Sequence, residues 1–443
     1  MPKYMEIANY LLTKIENSEI KTEERMPTIR ELAELFQCSK VTAVRAYAEL
    51  QQRHIVFAVP QDGYYLVNNK HAEVGPKLVN FISTTPDDTV LPYQEIEHCL
   101  NGAIHKYQHA LFNYAPPQGL PSLIAAMKVY LEDYQIFAKP DNLFITAGAK
   151  QTLNILAAMP FPNNKNNILV EQPTYNGLVK FLEASKFPVY GVTRNFSGLD
   201  LAELEQHFAQ NNIKLFYTVP RFHNPLGTSL NKNERKAILK LAAKYDVYII
   251  EDDYLSDLEL QNNAYSLYYE DMNDRVIYIK TFSKILLPGL RIAAAVIPEV
   301  LVKHFTEYKK WIDLSTSILS QGALEIYIKS GMIKTHRKKM RQIYAEKMKL
   351  LDGLVTAAPI PHIRWHIPKS VFFACGEFLR VTDIGKLIQR LKEKNILINN
   401  ICENYIDTYY NDRILKLSIS KVSLDDISYG IDAIGDEIKK IDE

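Results

Sequence analysis

Beyond residue 140 the chain alternates short apolar runs with longer amphipathic stretches, and this rhythm constrains the fold more than any other feature. The runs LFITAG, NILVEQPTY, FPVYGVT, IKLFYTVP, VYIIEDDY, RVIYIKTFSK and RIAAAVIP are rich in β-branched and aromatic residues. They are too short to be buried helices and read as strands. Between two of them, 231–245 is charged and has helical spacing. Strands separated by helices pair in parallel, so the pattern predicts an α/β unit with a mostly parallel sheet covered by helices. Its ligand site belongs at the carboxyl ends of the strands. From about 300 to 355 the pattern is helical, and 356–443 reads as a smaller α+β unit.

Four constellations fall at those strand ends. YIIEDDY places Asp252 and Tyr254 two residues apart, on one face if the segment is extended. KTFSK sets Lys284 just past the next strand, and YTVPRFHNPLG carries Asn224-Pro225-x-Gly227 past another. In TAGAKQTL, Gly148 occupies a strand-to-helix turn, where free N–H groups and the helix dipole favour a phosphate. Singly each is weak: an acidic strand end is usually a polar loop, and a glycine turn is common.

Together they match one chemistry. Pyridoxal phosphate needs a lysine for a Schiff base, a carboxylate to keep the pyridine nitrogen protonated, and hydrogen-bond partners for the ring's 3-oxygen. Lys284 is the candidate anchor, Asp252 the carboxylate, and Tyr254 and Asn224 the oxygen partners. Thr281, Ser283 and Arg291 would serve the phosphate, Arg291 through a charge-assisted fork.

The first 68 residues have a different texture. Tyr4, Ile7, Leu11 and Ile15 recur at helical spacing, and Thr28 with Glu31 has capping-box spacing before a helix that buries Leu32 and Leu35. A third helix opens with Ser39 as its cap. Ala43, Ala46, Tyr47 and Leu50 face inward, leaving Val41, Val44, Arg45 and Ala48 outward with Lys40 on the flank. VFAVPQDGYYLV then reads as a hairpin. Three helices and a hairpin predict a winged helix-turn-helix. Residues 1–68 hold eight Lys/Arg against nine Asp/Glu, which by itself suits a plain helical cap. The cations Arg25, Arg30, Lys40, Arg45 and Arg53, however, concentrate where a duplex would lie. Arg30, Ser39, Lys40, Val41, Thr42, Val44 and Arg45, with Gly63 and Tyr64 of the wing, are the candidate DNA-binding residues. Residues 69–77, with Gly75-Pro76, read as a linker, so 78–443 is the second domain and about 100–300 its large part.

Net charge is +1 over 443 residues, so no global field argues for nucleic acid or membrane. The four cysteines show no C-x-x-C spacing, which suits a reducing compartment and argues against a disulfide framework or a zinc site. With no signal-like start and no long apolar stretch, a cytoplasmic protein with no membrane partner is expected.

MPTIRELAELFQCSKVTAVRAYAEL resembles the DNA-binding domain of the GntR family, with Pro27, Arg30, Leu32, Ala33, Ser39 and Thr42 matching. Lys40 replaces a usual arginine, Val44 stands where a second basic residue is common, and His54 takes a turn position that is usually glycine. Across 78–443 the order of motifs is similar to fold-type I aminotransferases, and the whole chain resembles MocR-type regulators. That resemblance implies Lys284 as the Schiff-base lysine and Tyr175, in EQPTYNG, stacked on the ring. It also puts Gly148, Ala149, Lys150, Ser283 and Arg291 around the phosphate. Tyr114, in FNYAPPQGL, would reach the phosphate of a neighbouring subunit, implying a homodimer.

The departures are equally informative. ILKLSIS puts Lys416 where the family has a carboxylate-gripping arginine, and lysine cannot make the planar two-pronged contact. Arg413, three positions away, would face the other side. Lys150 replaces a glutamine or small residue, and Pro121-Ser122-Leu123 lacks the family's arginine. The expected function is a regulator that binds an operator and senses an amine or amino-acid effector through pyridoxal phosphate. The alternatives are a working aminotransferase with an accessory DNA-binding domain and a sensor of the cofactor itself.

Overall fold

The computed structural model describes residues 2–17, 19–20, 25–52, 55–59, 62–66, 78–260, 265–368, 372–380 and 383–442. It divides into two compact units, Met1–Lys77 and Leu78–Glu443. The expected linker 69–77, and Arg53 and His54, lie outside the described residues.

In the first unit, helices Lys3–Glu16, Ile29–Leu35 and Lys40–Gln52 precede an antiparallel hairpin of Val56–Val59 and Gly63–Leu66. Thr28 and Glu31 form the capping box, and Ser39 Oγ accepts from the Thr42 N–H at 3.2 Å. Ile7, Leu11, Leu32, Ala43, Ala46, Tyr47 and Leu50 make the core. Leu35 does not join it: the side chain is 61% exposed. In this seven-residue helix the inner stripe runs through Ile29 and Leu32 to Phe36, and Leu35 falls off that face.

The second unit is built on an eight-stranded sheet. Strands Val276–Thr281, Tyr248–Asp252, Ile213–Thr218, Asn167–Gln172 and Val189–Asn195 lie side by side and parallel. Ala293–Val296 runs antiparallel between Val276–Thr281 and Leu143–Thr146, and Gly198–Leu199 closes the far edge. The mostly parallel sheet read from the sequence is therefore present, with the RIAAAVIP strand reversed. Its interior strands are buried along their whole length, which explains continuous apolar runs where a half-exposed sheet would alternate. Register brings the strand ends level: Thr218 pairs with Glu251, Asp252 with Ile279, and Thr281 with Ala293.

The 26-residue helix Met332–Ala357 leads to a four-stranded antiparallel sheet of Ile363–His366, Phe373–Phe378, Ile414–Ser418 and Asn399–Asn400. Helix Leu424–Asp442 packs against Met332–Ala357 and against Ile384–Glu393. The short strand Val79–Asn80 pairs with Ile396–Leu397, and Ser418 N–H donates to Phe81 O at 2.7 Å. This ties the segment after residue 78 to the small sheet and delivers Thr84 to the large one. Among the described residues no helix is long and apolar enough to cross a membrane.

Candidate functional site

The level strand ends open onto a cavity of about 360 Å³. Lys284, Asp252, Tyr254, Asn224, Tyr175, Thr281, Ser283, Arg291, Ala149, Lys150 and Lys416 all line it, and Gly148 lies beneath the Arg291 guanidinium. Residues far apart in sequence are thus gathered by the strand ends and helix starts of the large sheet, with Lys416 added from the small sheet.

Lys284 sits in the turn after Val276–Thr281. Its Nζ donates to Thr84 O at 2.9 Å and lies 3.1 Å from Thr84 Oγ1. Burial pushes this amine down to about 8, against the pull of the Asp252 carboxylate. Lys280, four residues earlier, faces the other way into a fully buried ion pair with Asp257. KTFSK therefore holds one structural lysine and one presented to the cavity.

Asp252 ends its strand 6% exposed. Burial lifts its carboxyl to about 6, opposed by the Tyr217 hydroxyl, which donates to Oδ2 at 2.8 Å. The other oxygen, Oδ1, is buried without a hydrogen-bond partner among the described residues. A buried acceptor without a donor is costly, so this oxygen is suited to a donor supplied by a bound group. Tyr254 lies in the bend beyond the strand, and its hydroxyl donates to Phe222 O at 2.8 Å. Tyr175 precedes helix Asn176–Ala184, where a Cβ on Gly177 would meet its ring at 2.5 Å. Only glycine leaves the ring in that position.

At the other end of the cavity, Gly148 adopts φ 86° and starts helix Ala149–Ala158. A Cβ there would stand 2.9 Å from Arg291 Nη2, which also donates to Ala147 O at 3.3 Å. Among the described residues the Ala149 and Lys150 N–H groups at the first turn have no backbone acceptor, as a helix start requires. Ser283 and Thr281 stand opposite, completing a cradle of donors and one guanidinium. This set fits a phosphate.

On the third side, the Lys416 amine donates to Asn224 Oδ1 at 2.7 Å and lies 4.7 Å above the Phe373 ring. Burial lowers Lys416 to about 8, with Cys375 opposing and the Lys284 charge adding to the effect. Arg413 is exposed and does not line the cavity. Tyr114 is 79% exposed and contributes nothing to the cavity of its own chain.

Sequence reasoning missed Thr84 and Tyr217, which hold the lysine and the carboxylate. It also missed the buried cluster behind Asn224. There Glu171 pairs with Arg194, takes Thr218 Oγ1 at 2.8 Å and Val219 N–H at 2.9 Å, and lies 3.3 Å from His223 Nε2. Burial and Arg194 lower His223 to about 4, so it is neutral. Buried Glu, Arg and His at the ends of apolar runs were the available signal.

In the first unit, Val41 is 76% and Val44 41% exposed on helix Lys40–Gln52, with Lys40, Arg45 and Arg30 also at the surface. Ser39 and Thr42 hydroxyls lie 2.9 Å apart, and the Arg45 guanidinium sits 4.3 Å over Tyr4. In the wing, Tyr64 stacks on Tyr47 at 3.9 Å and packs, partly buried, on the core. Gly63 lies against Arg25, whose Nε would be 2.7 Å from an added Cβ.

A helix-turn-helix unit and a fold-type I cofactor cavity in one chain define a DNA-binding regulator with an aminotransferase-like domain. The chain belongs to the aminotransferase class I and II family, matched over residues 83–434, and residues 3–66 match the bacterial regulatory proteins of the gntR family. That pairing is the MocR type of GntR regulator. YcxD of Bacillus subtilis (strain 168), named an uncharacterized HTH-type transcriptional regulator, is 40% identical over 97% of this chain and 98% of its own length. YdfD of the same strain, also so named, is 26% identical over 100% of this chain and 97% of its own. Pyrococcus horikoshii kynurenine aminotransferase superposes with a TM-score of 0.76 at 24% identity, covering 83% of this chain and 92% of that one. Pyridoxal phosphate is the cofactor of this family, and the unpaired Asp252 oxygen and the Gly148 cradle fit it.

Proposed function

We propose that this regulator responds to an amine or amino-acid effector taken up at a pyridoxal phosphate held by Lys284. In this reading residues 1–68 grip a double-stranded operator, 69–77 are the linker and 78–443 the sensor. The supporting observation is the meeting, in one cavity, of a lysine lowered to about 8, a buried unpaired carboxylate oxygen and a phosphate cradle.

The cofactor, when bound, supplies an electrophilic aldehyde and an electron-withdrawing ring. The chain supplies the rest. A lysine near 8 keeps a usable neutral fraction for bonding the aldehyde carbon, and Thr84 aims it. Asp252 Oδ1 would accept from a protonated ring nitrogen, with the carboxylate held by the Tyr217 hydroxyl. Tyr175 covers the ring. The Asn224 amide and the Tyr254 hydroxyl would serve as donors to the ring oxygen. Gly148, Ala149, Lys150, Thr281, Ser283 and Arg291 hold the phosphate. Lys416, beside Asn224, receives a carboxylate of the effector as a point charge.

Exposed Phe112 (90%), Tyr114 (79%) and Trp311 (89%) support a homodimer in which Tyr114 completes the neighbouring phosphate site. An operator as partner assigns the protein to the cytoplasm. The effector alters DNA affinity only through its different affinity for the two forms of the sensor.

A second reading, a working aminotransferase, is favoured by the full set of cofactor-side residues and opposed by Lys416. The two separate in one experiment. Cofactor-loaded protein is mixed with amino acids and a keto acid while its affinity for genomic DNA fragments is followed. The regulator reading expects amine-dependent DNA affinity; sustained product formation with unchanged affinity overturns it.

A further inference from the structure

A second cavity, of about 330 Å³, shares no lining residue with the first. One wall is the start of helix Met332–Ala357, where Lys334, Arg337 and Arg341 follow at i, i+3 and i+7 and so lie on one face. Two of these cations share one carboxylate: Asp133 is 3.2 Å from Lys334 and 3.8 Å from Arg337. Arg337 Nη1 also donates to the Tyr134 hydroxyl at 2.6 Å, which fixes the guanidinium. Arg341 spends only Nε, on Asp257 O at 2.6 Å; its two Nη groups have no hydrogen bond or ion pair among the described residues. Across the cavity Glu259 is paired with Arg221 at 3.0 Å; burial pushes its carboxyl above the ordinary range, opposed by the charges of Arg221 and Arg341. Gln135 also lines the space, and its buried Oε1 has no donor among the described residues.

An occupant must therefore present several anionic acceptors to the basic helix face and one hydroxyl donor to Gln135. Hydrogen phosphate, or a phosphate monoester with a free hydroxyl, meets both needs; a dicarboxylate at neutral pH meets the first alone. We propose that this cavity is a phosphate-binding site separate from the cofactor site, formed by Lys334, Arg337, Arg341 and Gln135.

The test uses full-length protein saturated with pyridoxal phosphate, so that the Gly148 cradle is already filled, titrated calorimetrically with inorganic phosphate at constant ionic strength. One phosphate per chain is expected, bound at least tenfold more weakly by Arg341→Gln and several-fold more weakly by Lys334→Gln. Lys349→Gln, exposed on the same helix but outside the cavity, leaves it unchanged, and succinate binds more weakly than phosphate. The exposed Lys334 carries the test should the Arg341 variant misfold. Equal phosphate affinity in wild type and the folded variants, no heat beyond a chloride control, or succinate binding as tightly as phosphate overturns the proposal.

Discussion

Replacing Lys416 by arginine isolates the feature that most sets this cavity apart. Burial brings the Lys416 amine to about 8, so it is charged below that pH and neutral above it. With that value, about nine in ten Lys416 side chains are charged at pH 7 and about one in ten at pH 9. A ligand carboxylate that depends on this charge loses about tenfold in affinity between those pH values, or about 1.4 kcal/mol. Arginine stays protonated throughout, so Lys416→Arg removes that component. The assay is the cofactor's visible absorbance during titration with an α-amino acid at pH 7 and pH 9, in both proteins. Protonation changes of the amine and cofactor are common to both proteins and divide out of the ratio. The same ratio measured with the decarboxylated amine should be near one. Equal pH dependence of the two proteins toward the amino acid would refute a carboxylate at Lys416.

Glu171→Gln should cost about 3 kcal/mol in urea denaturation, because Arg194 is left buried without its counter-charge. Burial raises Glu171, but Arg194 and His223 outweigh it and bring the carboxyl to about 2. Its stabilisation is complete above the unfolded carboxyl value and is lost as pH falls toward 2, a dependence the glutamine variant lacks. Gly148→Ala strains a φ of 86° and drives a methyl against Arg291, so fluorescence titration should show cofactor affinity at least tenfold weaker. Arg30→Ala should weaken binding to all DNA sequences alike and lower the salt slope by about one, whereas Val41→Ala should change preference at one base position.

The sheet and the reactive face of the site were legible because both follow from local patterns. Strands buried on both sides give continuous apolar runs, and candidate site residues stand at or just past their ends, as Asp252, Lys284 and Gly148 do. Thr84 was illegible because it reaches Lys284 through a two-residue strand paired with Ile396–Leu397, a contact without periodicity. Tyr217 looked like one more apolar strand residue, although its hydroxyl orients Asp252. Leu35 was misassigned because two turns of helix do not fix which of two adjacent stripes faces the core. The Glu171–Arg194–His223 cluster joins three strand ends and exists only once the sheet has formed. The second cavity likewise exists only once the fold sets Gln135 and Tyr134 opposite Lys334, Arg337 and Arg341.

The most direct test of the account is to load the protein with pyridoxal phosphate, reduce it with borohydride, digest it and locate the added mass. The account expects a visible absorption band before reduction and a single modified peptide carrying Lys284, with both absent in Lys284→Ala. A modification at Lys280, Lys150 or Lys416 instead, or a protein that stays colourless, would contradict it.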